Sequence, residues 1–167
     1  NGGTYTATVN VSYTQNGLYV GDFNGIDGTT INGGTAFDNF GFSVDGVGDV
    51  NGDGIDDFIV GAIGAGGGNQ GQAFLIYGDA GGLPPVLNAN ALSLTEGITL
   101  TGGGPNELTG WSVSGLGDIN GDGFDDFAIG GIQGTLGSNQ TGNVYVVFGR
   151  GDDFTGDILL TQLNGTD

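Results

Sequence analysis

GDVNGDGIDDF, residues 48–58, carries four aspartates and an asparagine with no balancing cation. Its oxygen donors fall at loop positions 1, 3, 5 and 9, which are Asp49, Asn51, Asp53 and Asp57. That spacing wraps a backbone around one hard cation. Calcium accepts six to eight oxygens in flexible geometry, whereas magnesium demands a strict octahedron and keeps more water, so Ca2+ is the expected ion. Gly54 at position 6 permits the sharp turn, and Ile55 at position 7 offers its carbonyl oxygen while its side chain faces inward. Position 12, where an EF-hand needs a bidentate glutamate, is Val60, already inside an apolar run.

Sixty-nine residues further on, GDINGDGFDDFAIGGIQ from Gly117 repeats GDVNGDGIDDFIVGAIG from Gly48. The second loop supplies Asp118, Asn120, Asp122 and Asp126, with Phe124 at position 7. Ordinary turns favour the same Asp, Asn and Gly residues, but two copies of one five-position pattern argue against chance. Asp56 and Asp125, at position 8, project away from the ligand side and are expected to face solvent or bond a neighbouring turn. GDFNGIDG, residues 21–28, is rejected as a third site, because its second aspartate comes one residue late and no carboxylate stands at position 9.

The repetition extends beyond the loops: FGFSVDGV (40–47) matches TGWSVSGL (109–116), and GQAFLIYG (71–78) matches GNVYVVFG (142–149). Short β-branched and aromatic runs between glycine clusters predict strands, and no segment has a helical period. Four strands per unit are expected, one ending near Val47, one from Phe58, one from Gln72 and one around Leu92–Leu100. The organisation read from this is a strand or strands in 1–30 closing a preceding unit or adjoining β-module, repeat 1 over 31–98, repeat 2 over 99–160 and the start of a third unit at 161–167. Thr6–Tyr13 resembles a third strand of such a unit.

Composition excludes several functions. A net charge of −18, with 19 acidic residues against one cation, repels nucleic acid and anionic membranes. No run is long and apolar enough to span a bilayer. Without Cys, His or Lys, and with six of the seventeen aspartates committed as ligands, no catalytic set is left, and the chain is expected not to be an enzyme. The acidic balance predicts a secreted protein.

These residues resemble the FG-GAP repeat of integrin α-subunit β-propellers and bacterial surface proteins. The composite motif runs Phe40-Gly41, Asp49 to Asp57 and Gly61-Ala62, then Gly110, Asp118 to Asp126 and Gly130-Gly131. Thr109 stands where Phe is usual and Gly131 where Ala is usual. The resemblance implies an all-β fold of four-stranded antiparallel blades of β-propeller type, with calcium between the first and second strands of each. Such propellers have about seven blades, so two units with partial ones at both ends imply a fragment, a ring or a head-to-tail filament, with partners that are further repeats or other copies. A surface protein or glycan is a further candidate partner. Arg150-Gly151-Asp152 is a candidate adhesion motif, although a plain turn with Arg150 pairing a carboxylate explains it as well. Trp111 occupies the position of Phe42 and is expected in the core, and Asn10, Asn139 and Asn164 head sequons.

Overall fold

The computed structural model describes residues 28–132, 141–151, 154–163 and 165. The strand expected at Thr6–Tyr13, most of the rejected 21–28 loop, Asp152 and the sequon asparagines Asn10, Asn139 and Asn164 lie outside the described residues.

The chain is all-β. Among the described residues ten strands follow in order: β1 (Thr30–Asn32), β2 (Phe40–Gly48), β3 (Asp57–Ala62), β4 (Gln72–Ile76), β5 (Val86–Asn88), β6 (Gly97–Thr101), β7 (Ser112–Gly117), β8 (Asp126–Gly131), β9 (Asn143–Val147) and β10 (Ile158–Leu159). Repeat 1 builds the antiparallel series β2-β3-β4-β6, and repeat 2 builds β7-β8-β9. The register of β2 on β3 slips between Gly46 and Gly48, and that of β7 on β8 slips between Gly115 and Gly117. Gly48 and Gly117 both sit at positive φ, 73° and 67°, so a bulge that only glycine tolerates cheaply aims the chain into each acidic loop.

One pairing carries no local signal in the sequence. The segment that follows the third strand of each repeat makes a short strand that adds, in parallel, to the outer strand of the unit before it. β10 pairs with β6, Ile158 opposite Leu100, and β5 pairs with β1, Ile31 opposite Leu87. A single 3-10 turn follows each connector strand, at Ala89–Ala91 and Leu160–Gln162. The fourth strand of repeat 1 therefore begins at Gly97, later than its sequence suggests, because the connector and a turn closed by Glu96 on Ser93 occupy the residues before it.

Two cores result, one on each face of the first sheet. Ala62, Phe74, Ile76, Leu87 and Ala89 form one. Ile59, Ala73, Leu75, Ile98 and Leu100 face the other way and pack on Phe127, Ile129, Val147, Phe154 and Leu160 of repeat 2. The run DFIVGA of β3 thus lacks polar alternation because both its faces are covered. Trp111 is a correction: it is not in the core. It lies half exposed against Phe42, ring centroids 4.9 Å apart, because β2 and the chain entering β7 are at sheet edges with one side open.

Glu107 is the buried carboxylate that fastens the entry to repeat 2. It accepts N–H bonds from Gly103 (2.8 Å) and Gly104 (2.9 Å) and bonds from the Tyr145 hydroxyl and the Asn143 amide on β9. Burial raises its pKa, but the four bonds outweigh it and hold the carboxyl below its ordinary 4.5, while Tyr145, half-buried beside that charge, is pushed up to about 12. A carboxylate with a lowered folded pKa contributes stability that is complete above 4.5 and fades as pH falls through the folded value. Glu107→Gln is therefore expected to lower the melting temperature at pH 7, with the gap to wild type closing below pH 4.5 in thermal melts.

Candidate metal centres in the two acidic loops

Each loop joins the first strand of a repeat to the second, between β2 and β3 or between β7 and β8. In loop 1, Asp49 Oδ1 accepts the N–H groups of Gly52 (2.7 Å) and Asp53 (3.0 Å), and Asp49 Oδ2 accepts that of Gly54 (2.8 Å). In loop 2, Asp118 takes Gly121, Asp122 and Gly123 at 2.7, 3.1 and 2.9 Å. Asn51 and Asn120 accept from Asp53 and Asp122, whose carboxylates accept in turn from Ile55 and Phe124. Gly54 and Gly123 hold φ of 87° and 97°, which turns the loop back toward its first residue.

The ninth-position carboxylates are buried. Asp57 receives the Val50 and Gly78 amides at 3.0 and 2.9 Å, and Asp126 receives those of Ile119 and Gly149, both at 2.9 Å. Each therefore ties its loop to the glycine two residues beyond the third strand. Burial pushes the Asp57 carboxyl up to about 6, the two amide bonds oppose this, and the Asp53 and Asp49 charges add to the rise.

The donor set fits a hard cation in chemistry. It is oxygen throughout, and an ionised carboxylate offers about four lone-pair sites, of which Asp49 commits three to amides and Asp57 two. Among the described residues no three His, Cys, Asp or Glu side chains converge as a ready cluster. The amide bonds brace the carboxylates, and the set would be completed by asparagine oxygens and the carbonyls of Ile55 and Phe124.

Asp125, expected to face solvent or bond a neighbouring turn, lies across the boundary between repeats, its Oδ2 accepting the Asp49 N–H at 3.0 Å. Its position in the loop hinted at a neighbouring turn without saying which one. Asp56, its counterpart in loop 1, is exposed. Arg150 stacks on Phe154, 4.4 Å from guanidinium carbon to ring centroid, and its backbone N–H donates to Val50 O at 2.9 Å. Gly151 is exposed, and Asp152 lies outside the described residues, so the tripeptide is not seen whole.

The FG-GAP repeat family model matches residues 40–76 and 109–147, the two stretches that hold the loops and the strands around them. The chain carries two FG-GAP repeats. It is 36% identical over 91 residues to integrin alpha pat-2 of Caenorhabditis elegans, a match covering 54% of this chain and 7% of that protein. Integrin alpha-E of Mus musculus is 37% identical over 98 residues, covering 54% and 8%. Phosphatidylinositol-glycan-specific phospholipase D of Mus musculus is 37% identical over 108 residues, covering 60% and 12%. The matched stretch is thus about a tenth of each relative's length. No helix among the described residues is long and apolar enough to cross a membrane.

Proposed function

We propose that these FG-GAP repeats form a non-catalytic, calcium-stabilised structural or adhesive segment of an extracellular surface protein, completed by further FG-GAP units of the same polypeptide or of other copies. A comparison of the two repeats with each other carries this reading. Val47, Val50, Ala73 and Leu75 of repeat 1 are buried against repeat 2. Their counterparts Leu116, Ile119, Val144 and Val146 are 39%, 56%, 71% and 39% exposed. Repeat 2 therefore presents the same apolar face that repeat 1 buries, and the first interface supports the opposite face of another unit as its partner. Apolar patches of this kind mark association surfaces, and units that stack only on neighbours cannot bury their faces alone.

Calcium fits as the stabilising ion because both loops offer the same oxygen set in the same hydrogen-bonded form. The likeness to integrin α chains supports the surface and adhesive part of the reading. In sedimentation equilibrium with calcium the chain is expected to self-associate, and Val144→Glu, which puts a charge in the middle of the exposed face, is expected to weaken association at least tenfold. A chain that stays monomeric at high concentration, or a variant that associates like wild type, contradicts docking through this face.

A further inference from the structure

Loop 1 is held by a carboxylate and two backbone amides of repeat 2. The Asp49 N–H donates to Asp125 Oδ2 at 3.0 Å, the Asp125 N–H donates back to Asp49 O at 3.1 Å, and the Arg150 N–H donates to Val50 O at 2.9 Å. The fit is close: a Cβ on Gly48 would overlap the Asp125 carboxylate, and one on Gly52 would overlap the Phe124 ring. The first two residues of loop 1 are thus held by repeat 2. Among the described residues no hydrogen bond of this kind holds Asp118, the first residue of loop 2.

We infer that Asp125 is a positioning residue for the cation site of loop 1, and that the position-8 aspartate of one unit makes the loop of the preceding unit a tighter site. The inference rests on the calcium reading of the loops. Asp49 has to present its carboxylate from the loop's first position, and a backbone already fixed by a neighbouring repeat loses less freedom when the ion binds. Coupling of this kind is reciprocal, so a cation in loop 1 strengthens the docking of repeat 2 as much as docking strengthens the cation. Loop 2 is then the weaker site, and it tightens when a further unit docks on the face containing Val144 and Val146.

The test uses the full chain with Asp122→Ala, which leaves loop 1 to report calcium binding by titration calorimetry. Adding Asp125→Ala is expected to weaken that remaining site roughly tenfold, the size of effect that one lost charge-assisted hydrogen bond supports. Adding Asp125→Asn instead keeps an acceptor oxygen and is expected to stay within about threefold of the single variant. Equal affinity with and without Asp125→Ala overturns the inference, as does an Asn variant as weak as the Ala variant, which would make the effect one of charge alone. An Asp122→Ala chain that binds no calcium overturns the calcium reading itself, and the inference with it. Should Asp125→Ala not fold, amide hydrogen exchange on the wild-type chain decides: the Asp49 amide is expected to be protected and to gain protection with calcium, and a fast-exchanging Asp49 amide overturns the inference.

Discussion

Chelation of calcium by EGTA is expected to lower the melting temperature by roughly 10–20 °C. An ion present at a hundredfold over its dissociation constant stabilises the folded state by about 2.7 kcal/mol per site. Two sites give about twice that, and a domain of this size shifts by roughly 2–4 °C per kcal/mol. The structural cause lies in the buried ends of the loops. Asp57 tethers loop 1 to the end of β4 through Val50 and Gly78, yet it is a buried carboxyl raised to about 6 with the Asp53 and Asp49 charges near it. A dication in the loop would offset that repulsion and let Asp57 stay ionised. In a chain with both Asp53→Ala and Asp122→Ala, EGTA is expected to leave the melting curve where it is, because each loop has lost its fifth-position ligand. A wild-type melting curve that does not move in chelator removes calcium as a structural element.

The second large effect is expected at the junction of the repeats. Phe127 is fully buried on β8 and packs with Ile59, Leu75 and Leu100 of repeat 1. Phe127→Ala is expected to cost about 3–5 kcal/mol in denaturant unfolding, the range for deleting a buried ring that its surroundings cannot fill. Trp111→Ala, a larger deletion in atoms, is expected to cost only about 0.5–1.5 kcal/mol, because the residue is half exposed and loses chiefly its ring contact with Phe42. Equal losses for the two variants would contradict the placement of the core between the repeats.

Much of this architecture was legible in the chain. The duplication at Gly48 and Gly117 sets the unit, and DFIVGA and AFLIY read as strands because apolar runs of that length between glycines have few alternatives. The loops stood out because Asp, Asn and Gly recur at fixed offsets that a random turn does not reproduce. The connector strands β5 and β10 were not legible, since two or three residues pairing in parallel with a distant unit leave no period to detect. Trp111 misled because it shares a position with Phe42, and neither residue is core: the edge strands of both repeats leave that side open. Asp125 could be assigned to the far side of its strand but not to Asp49, because its partner belongs to the other repeat. Glu107 was similarly silent, its role set by Tyr145 and Asn143 on β9.

Calcium titration by calorimetry on the full chain, in chelator-stripped low-salt buffer, bears most directly on what these loops are for. Two ions per chain are expected, falling to one in Asp53→Ala or Asp122→Ala and to none when both are combined. Wild-type protein that shows no saturable binding, or a doubly substituted chain that still binds two ions, would contradict the assignment of calcium to Asp49, Asn51, Asp53 and Asp57 and to Asp118, Asn120, Asp122 and Asp126.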